Sequence, residues 1–435
     1  MAIKQNSLLL KIDLMKKYFV FLFMISVACS SFFFSPTTKK RFVITDYGAK
    51  SDTSVMNTAA IQKTIDECSA KGGGTVVVPK GTFVSGAIFL KKNVSLTIEK
   101  DGVLKGSANQ ADYPQIQTRW EGEERLWTSA FINAIGVDGI QLTGEGTIDG
   151  SGDIWTSRAP RRIPGDTTAR NNGPRLGRPR MICFDNCKNI KISGLHMHNQ
   201  AVWCVHILYC KKVLIENLNI TADHNIPSSD GMDIDSSDGV VVTGCYIDVN
   251  DDCISIKSGK DEDGLRVNRP SENIVIEKCT FGYGHGGVAM GSETSGGIRK
   301  VEVRNCVVQQ GNWAPIRFKS QPSRGGVVED ITYRDIEIKD ARMVFDFNMA
   351  WRMLRTVRPP AKVLPIVRNV KIINVSGKVN SGGNITGLKG SPIQNISFKN
   401  CNITADKGLT VQYVTGTDFS GLNLTVKNGE SIIKK

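Results

Sequence analysis

From about residue 93 onward a short pattern of hydrophobic positions recurs, of the form apolar-x-apolar-x-x-apolar-x-apolar. It occurs at Ile190/Ile192/Leu195/Met197, Val213/Ile215/Leu218/Ile220 and Val240/Val242/Cys245/Ile247. It returns at Ile274/Ile276/Cys279/Phe281, Val301/Val303/Cys306/Val308, Ile331/Tyr333/Ile336/Ile338 and Ile396/Phe398/Cys401/Ile403, and more weakly at Thr417/Phe419/Leu422/Leu424. Alternation within a copy predicts strands, and the two-residue step in its middle predicts a turn between two short strands. Most neighbouring copies lie roughly 23 to 40 residues apart, the signature of a repeat architecture. One coil cannot bury its own apolar face, so the coils must stack. The expected fold is all-β: a single-domain parallel β-helix, right-handed because parallel crossovers are right-handed.

A third strand per coil aligns on Met232/Ile234, Ile254/Ile256, Val288/Met290, Ile316/Phe318 and Phe345/Phe347. Before the repeats, Asn57 and Thr58 precede an apolar helical face of Ile61, Ile65 and Cys68, and Gly72-Gly73-Gly74 follows. This predicts a capped helix with a glycine stop. Its expected place is over the open end of the solenoid, whose unpaired edges invite association.

Residues 1–41 read as a secretory leader and short linker, and 42–435 as the β-helix domain. Met15-Lys16-Lys17 offers a second start, and an apolar run from Tyr18 to Ala28 follows. Two processing readings stand: lipidation of Cys29, or ordinary cleavage between Cys29 and Ser35. The run is short for a membrane span, and nothing later is long and apolar enough for one. The expected location is secreted, periplasmic or on the outer membrane of a bacterium, the protein a monomer.

Cys245, Cys279, Cys306 and Cys401 share the column that Leu195, Leu218 and Ile336 fill in other coils. They read as buried small hydrophobes. Pairing of Cys183 with Cys187, or of Cys204 with Cys210, stays open.

The formal charge is +13. Residues 1–41 carry seven Lys/Arg against one Asp, so six of those charges belong to the leader and seven to the rest. That surplus favours an anionic partner. It concentrates at Arg158, Arg161, Arg162, Arg170, Arg175, Arg178 and Arg180, either a solvated loop or a positive rim on a cleft. No reader motif accompanies it, which argues against nucleic acid.

The third strand carries the candidate chemistry. Asp230 leads one coil, Asp251 and Asp252 the next, His285 the third, and Arg317 and Lys319 face outward on the fourth. Parallel strands stack about 4.8 Å apart, so these six side chains should converge within roughly 15 Å. Glycoside hydrolysis needs one carboxylic acid to protonate the leaving oxygen and another carboxylate to activate water. Crowded carboxylates shift each other's proton affinity and titrate as a unit. Arg317 and Lys319 suit a sugar carboxylate.

Ser229-Asp230-Gly231, Asn250-Asp251-Asp252, Gly284-His285-Gly286 and Arg317-Phe318-Lys319 resemble, in order and spacing, the four motifs of glycoside hydrolase family 28, the polygalacturonases. Asp46-Tyr47-Gly48-Ala49, Gly144 to Gly150 and Gly291 to Gly297 extend the similarity over about residues 42–430. The resemblance implies an inverting hydrolysis of α-galacturonosidic linkages in pectin, with no metal and no cofactor. Asp251 would be the general acid, Asp230 and Asp252 would position and deprotonate the water, and His285 would act beside the acid. Arg317 and Lys319 would hold the galacturonate carboxylate on the leaving-group side. The family's Tyr beyond the Arg-x-Lys coil has no counterpart; Tyr333 falls in an inward column, and the segment Phe345 to Trp351, with Asp346, Asn348 and Trp351, offers a replacement.

Homogalacturonan is favoured over rhamnogalacturonan by the Arg-x-Lys pair. The insert from Trp155 to Arg180 either blocks one end of the cleft, giving exo action, or is an ordinary loop. A calcium-dependent pectate lyase is a rival on the same architecture, but the run Asp261-Glu262-Asp263 reads more simply as a solvated turn. A non-catalytic β-helix polysaccharide-binding protein is the third reading; carboxylates facing a polyanion argue against it.

Overall fold

A computed structural model of the chain describes residues 40–157, 177–352 and 358–435. The leader, Cys29 and the basic positions Arg158 to Arg175 lie outside the described residues. Within Arg41–Lys435, a single compact unit, the inward columns run in register. Ile190 pairs with Val213, Val213 with Val240, Val240 with Ile274, and Ile274 with Val301. The second column pairs Met197, Ile220, Ile247 and Phe281 in turn. The third pairs Met232, Ile254, Val288, Ile316 and Phe345. All these pairings are parallel, and the inward side chains form one continuous core: a parallel β-helix.

The step inside each copy is a left-handed residue, at Asn217 (φ 54°), Gly244 (φ 66°), Asn305 (φ 53°), Asn374 (φ 53°) and Asn400 (φ 53°). Asparagine tolerates this conformation better than most residues. Stacked corner amides also bond along the axis, as Asn374 Nδ2 does to Asp335 Oδ1 at 2.8 Å. One coil escaped the sequence pattern: Ile366–Thr386 carries Val370, Ile372 and Val375 inward, but Gly377 stands where the fourth apolar residue belongs.

The four column cysteines are buried, each donating Sγ–H to the carbonyl two residues back. The ten cysteines among the described residues are all free, so neither candidate disulfide forms. Cys204 Sγ lies against the sulfurs of Met181 and Met197, while Cys210 bonds the carbonyls of Phe184 and Leu208.

The helix spans Thr58–Ala70 and buries Ile61, Ile65 and Cys68 on the first strands, covering that end. Asn57 does not cap it through its side chain. Its carboxamide is buried instead and ties down the preceding loop, accepting from Lys50 N and donating to the carbonyls of Lys50 and Val55. A second correction concerns Asp261, which is not in a solvated turn. It begins a short helix, Asp261–Val267, and is buried against Arg324 and Ser323.

Candidate active site

The strands Met232–Asp235, Asp252–Lys257, Gly284–Met290 and Asn312–Lys319 lie side by side and hold the chemistry on their outer face. Cys253 and Ile254 are both core residues. Alternation therefore slips by one before Ile254, which turns Asp252 out to the cleft. Asp230, Asp251 and Asp252 each offer an oxygen within 4.8 Å of the others, so all three meet at one point. They are the acidic set among the described residues of a size to hold a cation. Two positive side chains reach one of these acids: Arg317 Nη1 is 3.2 Å from Asp252 Oδ1, and Lys319 Nζ bonds Asp252 Oδ2.

The motif glycines make this contact sterically feasible. A Cβ on Gly286 would come within 2.8 Å of Asp252 Oδ1 and 3.3 Å of the Arg317 stem. His285, between Gly284 and Gly286, points its Nδ1 at Asp251 Oδ1, 3.2 Å away. Its amide donates to the Asp251 carbonyl at 2.9 Å.

The three acids differ in proton affinity. Burial, then the charges of Asp233 and Asp251, push the Asp230 carboxyl well above the usual carboxylate range. Burial also opposes ionisation of Asp251, but the hydrogen bond to His285 and the charges of Lys319, His285 and Arg317 outweigh it and hold Asp251 low. The same hydrogen bond raises His285. Of these two acids, the unliganded cleft therefore favours a proton on Asp230 and charge on Asp251.

A cleft of about 400 Å³ runs over these residues. On the C-terminal side of the acids it is lined by Trp313, Arg317, Lys319 and Trp351. Trp351 lies 4.8 Å from the Arg317 guanidinium and 5.7 Å from Lys319 Nζ. Asp346 pairs with Arg317 Nε at 2.9 Å. Trp351 thus lines the rim beside the Arg-x-Lys pair, while Tyr333 is buried with its hydroxyl on the Val288 carbonyl.

The N-terminal side is built from residues that the sequence reading passed over. Lys257, one outward position beyond Ile256, pairs with Glu293 at 2.9 Å and Asp233 at 3.5 Å. It also sits 4.9 Å from the Trp203 ring. Lys257 and Arg324 hold Glu293 at about 2 against the opposing effect of burial. Asp233 is buried, and its oxygens accept no hydrogen bond among the described residues. Burial accordingly raises its carboxyl, with Lys257 opposing.

A hairpin walls this side. Gln115–Trp120 and Glu123–Thr128 pair antiparallel, apart from the main sheet, and turn at Glu121 and Gly122. Gly122 has φ 81°, and a Cβ there would meet Lys260 Cβ at 2.5 Å. Trp120 stacks on Trp127 at 5.0 Å and leans on Trp203 at 4.8 Å. Arg119 reaches under the hairpin to Asp235 Oδ1 and Ser236 Oγ, both at 2.8 Å. Arg180 donates to the Arg119 carbonyl and to Thr118 Oγ1, and binds His206 Nδ1 at 2.7 Å. At the tip, Lys260 N donates to the Gly122 carbonyl at 2.9 Å, and Glu123 pairs with Arg358 at 2.9 Å. Thus Arg180, one of the arginines of the basic segment, is a buried strut, whereas Arg178 lines the cleft.

The description "glycosyl hydrolases family 28" matches residues 68–422. The chain belongs to this family. As a family 28 protein it is a glycoside hydrolase, and the relatives it matches include polygalacturonases and exopolygalacturonases. It is 27% identical over 431 residues to the exo-poly-alpha-D-galacturonosidase of Dickeya chrysanthemi, covering 88% of this chain and 70% of that one. Among solved structures it is similar to a hyperthermoactive exopolygalacturonase from Thermotoga maritima. That match has 27% identity and a TM-score of 0.74, and covers 91% of this chain and 92% of the other. The family 28 exopolygalacturonase of Yersinia enterocolitica shares the fold, with a TM-score of 0.78 at 23% identity over 91% of this chain and 77% of that one.

Proposed function

We propose that this family 28 enzyme hydrolyses α-galacturonosidic linkages of pectin with inversion, removing residues from the non-reducing end of homogalacturonan. The observation that carries the reading is the meeting of Asp230, Asp251 and Asp252 between two cation-lined halves of one cleft. A neutral polysaccharide would not require cations on both sides, while a polyanion does. The pinned hairpin at one end supports attack on a chain terminus. Among the described residues no helix is long and apolar enough to cross a membrane. We place the enzyme outside the cytoplasm, secreted, periplasmic or lipid-anchored at Cys29, and acting as a monomer.

The proton balance supports one mechanism. The cations that hold Asp251 ionised include Arg317 and Lys319, the side chains assigned to the substrate carboxylate. Arrival of that carboxylate cancels part of their charge at Asp251. Asp251 then takes up the cluster's proton, which leaves Asp230. Asp251–H protonates the leaving glycosidic oxygen. Asp252 and Asp230, the latter now without its proton, orient a water, which adds to the anomeric carbon and gives one proton to Asp230. His285 keeps the Asp251 carboxyl in place.

Asp251→Asn should lower reducing-end release from polygalacturonate by about 10²- to 10⁴-fold, with the cooperative unfolding transition retained. Turnover near the wild-type level would remove Asp251 from the acid role. An unsaturated product absorbing in the ultraviolet, abolished by chelator, would establish a lyase instead.

A further inference from the structure

Four Lys/Arg side chains line the cleft: Arg178, Lys257, Arg317 and Lys319. Three are committed to carboxylates of the protein. Lys257 is paired with Glu293 and lies 3.5 Å from Asp233, Lys319 is paired with Asp252, and Arg317 with Asp252 and Asp346. Arg178 differs. Among the described residues it makes no ion pair. Its hydrogen bonds to them use Nη1 alone, to the carbonyls of Ala201 and Pro227 at 2.6 and 2.7 Å. Two carbonyls on one nitrogen fix the guanidinium plane and leave its other edge for a planar, bidentate acceptor.

Its place along the axis is specific. The two carbonyls belong to the connections leading into Val205–Leu208 and Met232–Asp235, so Arg178 stands on the N-terminal side of the acids. Arg317 and Lys319 stand on the C-terminal side. The scissile bond lies between them, over Asp230 and Asp251. Beyond Arg178 comes the hairpin tip, where Glu121 and Trp120 line the cleft. A carboxylate at the tip can accept a hydroxyl of a terminal sugar, but it repels the carboxylate of a further galacturonate.

Building on the pectin-hydrolase reading, we propose that Arg178 is the receptor for the carboxylate of the galacturonate on the non-leaving side of the scissile bond. The Glu121 tip ends the polymer there. The enzyme then reads two successive carboxylates, one by Arg317 and Lys319 and one by Arg178. The requirement for an unesterified residue applies to both sides of the cut.

The test compares wild type, Arg178→Ala and Arg178→Gln on trigalacturonate and on trigalacturonate methyl-esterified only at its non-reducing terminal residue. The Gln variant keeps an amide donor for the Ala201 and Pro227 carbonyls, and so separates loss of charge from loss of support. Both variants should lose about 10- to 100-fold in kcat/KM on the free acid, the value of a charge-assisted hydrogen bond. Wild type should lose as much on the ester, and the variants should lose little more. Variants matching wild type on the free acid, or losing equally on both substrates, would overturn the assignment of Arg178. Internal fragments from hexagalacturonate before monogalacturonate would overturn the stop at Glu121. A wild type that cleaves neither substrate would instead refute the pectin-hydrolase reading itself.

Discussion

Replacing Arg119 by Ala should loosen the hairpin wall without touching the acids. The pair with Asp235 is fully buried, with 0% and 1% side-chain exposure, and the guanidinium also lies 4.6 Å from the Tyr209 ring. Removing one partner of a buried ion pair costs about 3–5 kcal/mol, because the other charge stays behind. Asp235 would keep only His206 at 3.7 Å and Ser236. Burial lowers His206 to about 4, so it stays neutral near pH 7 and cannot replace the cation. The loss in unfolding free energy should be about 4 kcal/mol, read as a lower urea midpoint at unchanged slope. Adding Asp235→Asn removes the stranded charge and should restore more than half of it. On polygalacturonate, Arg119→Ala should yield mixed oligomers early in the reaction, where the proposed exo action gives a single short product from wild type. An unfolding free energy within about 1 kcal/mol of wild type would show that the pair carries no such weight. A double variant less stable than the single would refute the stranded-charge argument.

Two further outcomes are expected. His285 is raised by its bond to Asp251, so its stabilising charge is fully present below the ordinary imidazole value and is lost as pH rises through the higher folded one. Asp251 is the mirror case: its contribution is present above the ordinary carboxyl value and is lost as pH falls. The His285 ring protons should therefore titrate above 6.5 by NMR in wild type and fall back toward it in Asp251→Asn. The first product observed by NMR should be the inverted anomer. Oxygens within 4.8 Å of one another are closer than the carboxyl spacing usual for inverting glycosidases, so a retained anomer would make one of the three aspartates a nucleophile.

The inward columns were legible because one residue class repeats at one period, and stacking then fixes where every lead-in falls. Asp230, Asp251, Asp252, His285, Arg317 and Lys319 came together for that reason. The N-terminal half of the cleft was not legible. Arg119 meets Asp235 across 116 positions, and no local pattern marks a charged residue as buried. The hairpin did leave a signal, Glu121-Gly122 flanked by Trp120 and Trp127, but it interrupts the repeat and stands outside any column. Lys257 was within reach, being the next outward position after Ile256. The Asp261 helix was misread because acidic runs are usually solvated, and its partner Arg324 comes from a coil two turns on.

The acids and the wall are borne by different parts of the chain. Asp230, Asp251, Asp252 and His285 stand on consecutive rungs whose heights are set by backbone pairing. The hairpin joins the solenoid mainly through side chains and one backbone bond at its tip, and shares no strand pairing with it. A change of loop sequence can therefore alter how much polymer the cleft admits while the spacing of the acids stays fixed. Chain-length preference and bond-breaking can diverge independently in such a scaffold.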